Sequence, residues 1–459
     1  MSTTSDAPPR ARESIAPPSP PPAPPLDGRG SGGHGEGGRP ERVKSPRRSA
    51  LELVVVLAAI VALAILAGAV DLLIVIVAII VMVMIHELGH LLAAKRGGMK
   101  VTEYFVGFGP RLWSIKRGET EYGIKAIPAG GYVKIPGMTN LEEVDPEDEP
   151  RAYRNQPFRY RLLVAVAGSA MHFIMAFLLL LGLLAFVGVG NTNQTQIAGF
   201  VNLGGVANPA QAGGIHAGDV VVSVNGKPIG GNVNGLAKAI RTNQGRPITV
   251  VVDRAGHRRQ LTVTPVDGRT VHEKGVTAPK GSAPDGVIGV DLTNPTQTMN
   301  PVHAVGTSFV DMGSVTWQSL RGVATIFSPH QVASRFNQIT SANAANQAAA
   351  NGTRAESIVG VVRTADQAAQ TGIGNLLVVL ITINIFFGVF NLFPMLPLDG
   401  GHVVIAIYER IRTRRGGPMY HADAAKMMPF AYILLAFLAV LVVTALIVDL
   451  AHPMASPFG

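Results

Sequence analysis

His86-Glu87-Leu88-Gly89-His90 sets two imidazoles four residues apart with a carboxylate beside the first. On an α-helix this spacing puts both rings on one face, where together they can hold one zinc ion. A catalytic zinc takes three protein ligands and keeps a fourth position open for water, so the pair needs a third partner from elsewhere in the chain. The sequence contains no cysteine. Thiolate metal sites, cysteine nucleophiles and disulfide scaffolds are thereby excluded, and His and carboxylates remain as the strong ligands.

The motif ends a run, Leu51–Ile85, in which only Glu52 and Asp71 are charged. Three ionisable residues inside a membrane span are costly in hydrocarbon, so a functional site is the default reading. The plainer reading is a helix end whose side chains reach water beside Lys95 and Arg96. The best third ligand is Asp399, in Asn391-Leu392-Phe393-Pro394-Met395-Leu396-Pro397-Leu398-Asp399-Gly400-Gly401-His402. It follows a second apolar run and falls at the same expected membrane depth. Pro394 and Pro397 interrupt the helix, and broken helix at that depth must be sheltered by protein or line a wet cavity. A plain helix cap is the bland reading of Asp399, and His402 is a second candidate ligand.

The elements that would position these residues are apolar helices. The chain is 47% hydrophobic and 15% charged over 459 residues, which points to a mixed membrane and soluble architecture. As one helix, Leu51–Ile85 would be about 52 Å long, against about 30 Å for a bilayer core. Two spans, 51–70 and 72–93, turning at Ala67–Asp71, are favoured over one. Further spans are expected at 162–189, within 375–428 at about 375–396, and within 429–450. Residues 1–50, with 11 Pro and 7 Gly, read as a disordered cytoplasmic tail. Basic residues cluster at Arg39–Arg48, in the 94–161 loop and at Arg410–Lys426; sharing the cytoplasmic side, they place 190–374 outside and require an odd number of spans. The formal charge of +9 fits anionic lipid better than nucleic acid, because no basic cluster has interleaved aromatics. Alternating runs such as Ile248–Val252 and Gln260–Thr264 indicate an external β-rich domain over 195–290. The stretch 291–372 reads as an extracytoplasmic connector, flexible or weakly helical over 331–356.

His86-Glu87-x-x-His90 together with Asn391-x-x-Pro394-x-x-Pro397-x-Asp399-Gly400 resembles the site-2 protease family of intramembrane zinc proteases. Three further stretches match its bacterial branch: Gly107–Pro110, Gly118–Lys125 and Gly130–Lys134. One segment departs from the family pattern. Ser169 and His172 stand where Pro and Asn are usual, and His172 reads as bonded to a neighbouring helix or as a fourth metal ligand. The resemblance implies Zn2+ held by His86, His90 and Asp399, with Glu87 as general base for the attacking water. It implies that Asn391 contacts the substrate backbone, unless its amide serves helix packing. It also implies that the hairpin carrying Tyr122, Ile124, Gly130 and Gly131 offers a strand to an unwound substrate, within the membrane-associated part of the 94–161 loop.

Outside the membrane, Asn208–Gly226 resembles the signature of a PDZ domain, with Asn225-Gly226 as a two-residue hairpin turn. Such a domain binds an extended peptide or a trimmed substrate end, or screens out bulky ectodomains. The expectation is an α-helical polytopic membrane protein with an inserted extracytoplasmic PDZ-like β-rich domain. It would be a multi-pass protein of the bacterial inner membrane, in contact with the lipid bilayer. Its partner would be a transmembrane protein such as an anti-sigma factor, or a remnant signal peptide, and no nucleic acid. A non-catalytic membrane scaffold presenting its PDZ domain, and a zinc transporter, are the competing readings.

Overall fold

The computed structural model describes residues 46–138, 142–204, 206–231, 233–270, 286–351, 354–413, 417 and 419–452. The tail expected at 1–50 lies outside them up to residue 45. The long apolar run breaks where glycine permits: α1 (Pro46–Leu66) and α2 (Val70–Arg96) are separated by Ala67-Gly68-Ala69, with Gly68 at φ 66°. A left-handed residue there ends the first helix without the penalty a Cβ would add. Among the described residues, four helices are long and apolar enough to cross a membrane: Val70–Arg96, Phe158–Val187, Ile373–Asn391 and Ala425–Ala451. The apolar part of α1, Leu51–Leu66, is shorter. Leu51, Val54, Leu63 and Leu66 on α1 are largely exposed, as side chains facing lipid are.

After α2 come two long strands, β1 (Glu103–Arg117) and β2 (Thr120–Lys134), which bend back on each other. Arg111–Arg117 pair with Thr120–Lys125 across the turn at Gly118. Glu103–Val106 pair twice, with Glu121–Ile124 on one side and Gly131–Lys134 on the other. The stretch 131–134 is therefore outermost and faces α2. The base of this sheet shares a core with α2 and the next helix through Leu91, Met99, Val101, Ile135, Tyr153 and Val164.

That helix is α3 (Phe158–Gly182), extended by a π turn over Leu183–Val187. It leads through β3 (Val189–Gly190) into a β-rich domain. The domain holds β4 (Thr195–Phe200), α4 (Pro209–Ala212), β5 (Val220–Val224), β6 (Lys227–Pro228), α5 (Val233–Arg241), β7 (Ile248–Arg254) and β8 (His257–Val263). β9 (Val266–Asp267), β10 (Gly286–Val287) and β11 (Val290–Thr293) complete it. Its main sheet runs β11-β4-β5-β7-β8, with β6 on β5, and closes over a core that includes Ile197, Val221, Leu236, Ile248 and Val252. Asn225 (φ 49°) and Gly226 (φ 76°) form the tight turn between β5 and β6. β12 (Thr296–Gln297) pairs with β3, so the chain enters and leaves the domain side by side.

The stretch that follows is helical where its composition suggested a connector: α6 (Pro301–Ile326), α7 (Pro329–Thr340), α8 (Ala342–Ala350) and α9 (Ile358–Thr371). The physical reason is local. Each starts with a capping side chain, Asn300, Ser328, Ser341 and Ser357 respectively, that accepts a first-turn N–H. The many Ala and Gln residues then favour the helix. α10 (Ile373–Asn391), α11 (Asp399–Arg412) and α12 (Met428–Ala451) complete the chain. α9 packs on the first turns of α2 and α10 through Val362, Ala365, Val75 and Leu376. One end of the helix bundle thus carries the β-rich domain and the other the β1–β2 sheet.

Candidate metal centre

The metal centre is built on α2, α3 and the start of α11. His86 and His90 are buried on one face of α2, and Asp399 begins α11. His86 Nε2 lies 3.2 Å from His90 Nε2, and Asp399 Oδ2 lies 3.4 Å and 3.3 Å from the two nitrogens. Three donors on a tetrahedron around zinc, each about 2.0–2.1 Å from the ion, would stand about 3.3–3.4 Å apart, so the residues present fit that ion. Asp399 Oδ2 is buried with no hydrogen-bond donor, as a ligand oxygen aimed at a cation should be. Among the described residues this trio forms the one such cluster of ligand-bearing side chains.

α3 seats the two histidines. His90 Nδ1 lies 2.8 Å from the Val164 carbonyl, to which the ring donates, and this leaves Nε2 as the free donor atom for a metal. A Cβ on Gly168 would stand 2.4 Å from His90 Nε2 and 2.5 Å from His86 Cε1. Only glycine leaves room there for both rings. His86 Nδ1 is buried without a hydrogen-bond partner. Farther along α3, His172 Nδ1 is 2.9 Å from Asn384 Oδ1 on α10, and its ring centroid is 4.9 Å from that of His86. His172 therefore supports the site as a helix-to-helix bond and stands outside the trio.

Asp399 reaches the trio because the chain between α10 and α11 folds back sharply. Cβ atoms on Gly400 and Gly401 would lie 2.2 Å from the Leu392 carbonyl oxygen and 2.5 Å from Leu396 N, so both positions require glycine. The far end of α11 is fixed by a fully buried ion pair, Glu409 with Arg161 on α3, and Glu409 Oε1 also accepts Ala422 N–H at 2.6 Å. His402 sits one turn past Asp399 with its ring 6.3 Å from that of Tyr153, outside the trio. Asn391 is the last residue of α10 and half-buried.

Glu87, next to His86 on α2, is turned toward the β1–β2 sheet. Its Oε2 accepts the Val133 N–H at 3.1 Å, and a Cβ on Gly131 would lie 3.6 Å from Glu87 Cγ. Gly131 is thus brought to the site. Gly130, at φ 142°, sets the bend before it and meets the Phe108 ring. Tyr122 and Ile124 are placed differently. Both lie in a stretch paired on its two sides, Ile124 with Val106 and Trp113, and Tyr122 receives a 2.8 Å hydrogen bond from Lys95.

A metal trio on an apolar helix bundle, with a carboxylate beside it, matches proteins of known kind. Residues 74–437 match the model of peptidase family M50. The chain belongs to peptidase family M50. It is 34% identical over 405 residues to zinc metalloprotease Rip1 of Mycolicibacterium smegmatis, covering 82% of this chain and 95% of that one. Against zinc metalloprotease Rip1 of Mycobacterium tuberculosis it is 32% identical over 400 residues, 81% of this chain and 95% of that one. The family's site-2 proteases are what the paired motifs resembled, and the chain is a membrane zinc metalloprotease with zinc as its cofactor.

Sequence reasoning missed Val164, Gly168, Asn384, Arg161 and Glu409. A backbone carbonyl has no side-chain signature, which hides Val164. Gly168 lies in the small-residue stretch Ala167–Ala170, where close helix approach leaves a readable trace.

Proposed function

We propose that the enzyme is an intramembrane endopeptidase that cuts a peptide bond in or near a substrate's transmembrane helix. The observation that carries the reading is the Val133–Glu87 hydrogen bond. It sets a free strand edge, 131–134, directly beside the carboxylate that flanks the metal trio. A transmembrane helix hides its carbonyls in its own hydrogen bonds and must be unwound before hydrolysis. An unwound segment laid along that edge gains main-chain hydrogen bonds there and brings its backbone to Glu87. His86, His90 and Asp399 would hold zinc, which when bound would supply Lewis acidity toward water and a peptide carbonyl. Glu87 takes the proton from the attacking water and returns it to the departing amine. Asn391, at the end of α10, is the candidate to hydrogen-bond the substrate backbone. The sheet edge beside Glu87 is 131–134, so Tyr122 and Ile124 serve the site by holding the sheet together.

The basic loops support a reading with the β1–β2 sheet on the cytoplasmic side of a bacterial inner membrane, the β-rich domain outside and α1 as an additional span. The β-rich domain is read as PDZ-like, because Asn208–Gly226 carries that signature and the fold supplies the tight Asn225-Gly226 turn. It would receive a trimmed end of the substrate or exclude uncut ectodomains. This is the second cut of regulated intramembrane proteolysis, on an anti-sigma factor or a remnant signal peptide. The test is mass spectrometry of both fragments of a reporter single-span protein in proteoliposomes. A cut inside the apolar span supports the reading, and cuts confined to soluble flanks reject it.

A further inference from the structure

We propose that α6 and α7 form a re-entrant hairpin that descends into the lipid core beside α3 and α10, turns at the level of the Asp399 segment and returns. The inference goes beyond the proteolytic reading and does not depend on it. Its ground is the sequence of contacts down α6. At the domain end of the bundle, Met299 N–H donates to the Leu184 carbonyl in the π turn that extends α3, at 2.8 Å. Lower down, Phe309 packs on Phe177 with ring centroids 4.6 Å apart. Met312 and Val315 then lie against the cluster of Ala176, Leu180, Ile381 and Ile385. At the foot, Phe327 stacks on Phe393 at 4.8 Å and on Phe437 of α12 at 5.2 Å. Phe393 follows the end of α10, so α6 runs beside the whole of that helix. Its 26 residues give about 39 Å of length, enough for the journey.

The return is equally marked. Phe327-Ser328-Pro329 turns the chain, with Ser328 capping α7. Ile339, near the other end of α7, has its carbonyl 3.3 Å from His452 Nε2, just past the end of α12. α7 therefore climbs back to the domain end. A segment that enters and leaves at one end and touches the other in between is re-entrant by geometry.

The outward face of α6 names what covers it. Val302, Val310, Trp317 and Leu320 are exposed there, and Phe336 is exposed on α7. Beside spans whose own outer faces meet lipid, such a face at the same depth is covered by acyl chains. The polar side chains on α6 do not forbid this. Thr316 and Thr325 hydroxyls donate to the carbonyls of Met312 and Arg321 in their own helix, both at 2.6 Å. Asp311 and Arg321 dilute the hydropathy, which is why length and composition do not mark α6 as a span. Phe327 at the tip stacks on both Phe393 and Phe437.

The chain has no native cysteine, so single thiols report position without background. Gly199, Gly306, Gly313 and Gly322 each border open space, with nothing within 4 Å of where a Cβ would stand. G199C, G306C, G313C and G322C would be placed in full-length protein in phosphatidylcholine proteoliposomes and reacted with a maleimide. G199C, in β4 of the domain, labels fast. The rate is expected to fall down α6, with G313C and G322C slower than G199C by about tenfold or more, since thiolates do not form in hydrocarbon. All four label alike after denaturation. Trp317 supplies the second readout: in Trp113→Phe protein, lipids brominated on their acyl chains should quench its fluorescence and aqueous iodide should not. Uniform fast labelling with iodide quenching would place α6 in water and overturn the proposal. Slow labelling without bromolipid quenching would mean that protein, and not lipid, covers the helix, and would overturn it as well.

Discussion

Val133 N–H donates a 3.1 Å hydrogen bond to Glu87 Oε2, so the outermost strand of the β1–β2 sheet is fastened to the carboxylate beside the metal trio. One contact thus ties the strand edge at 131–134 to the carboxylate proposed as the base. Val133→Pro deletes the donor while Pro is tolerated on an edge strand. Reporter cleavage (kcat/KM) should fall about tenfold, the worth of one hydrogen bond to a charged group, with zinc content unchanged. Undiminished cleavage would remove Val133 from the mechanism.

Gly168→Ala places a methyl group 2.4 Å from His90 Nε2 and 2.5 Å from His86 Cε1. Zinc affinity, measured by competition with a chelator, should drop by about tenfold or more while the helix content in detergent stays the same. Wild-type affinity would show that α3 does not seat the histidines as described.

The buried Arg161–Glu409 pair secures the helix that begins with Asp399. Removing one partner leaves the other charged and buried, at a cost of about 3–5 kcal/mol, whereas replacing both with apolar residues can be neutral. Arg161→Met and Glu409→Leu should each lower the unfolding midpoint sharply, and the double variant should recover most of it. A double variant as unstable as the sum of the singles would contradict the account.

In the β-rich domain, burial alone would raise the Asp219 carboxyl, but bonds from Arg254 at 2.7 and 2.8 Å and from the His216 N–H outweigh it and hold it below its usual range. A depressed folded-state pKa means stability that is full above the unfolded value, about 3.9, and lost as pH falls through the folded one. The protection factors of amides in β5 and β7, corrected for the intrinsic exchange rate at each pH, should fall below about pH 4 in the parent. Asp219→Asn should flatten that dependence, and an unaltered acid profile would discount the ion pair.

Much of the site was legible because its chemistry is carried by side chains at fixed spacing. His86, Glu87 and His90 announce themselves within five residues, and the Pro-rich turn before Asp399 marks a broken helix. The break between α1 and α2 was readable from Gly68 and from the excess length of the apolar run. What escaped was carried by backbone or by distant partners: the Val164 carbonyl, the Arg161–Glu409 pair 248 residues apart, and the double pairing of Glu103–Val106. The double pairing moves the free edge to 131–134, away from Tyr122 and Ile124, and alternation along one strand cannot reveal which edge stays open. The helices at 301–371 were obscured because Asp311, Arg321 and many Asn and Gln residues dilute the apolar signal.

The central claim is that Glu87 drives hydrolysis at a zinc held by His86, His90 and Asp399. The direct test is cleavage of a reporter transmembrane helix by purified parent and Glu87→Gln protein, with zinc measured in both. The account predicts equal zinc, cleavage by the parent and none by Glu87→Gln. Equal cleavage by the two zinc-loaded proteins would contradict it.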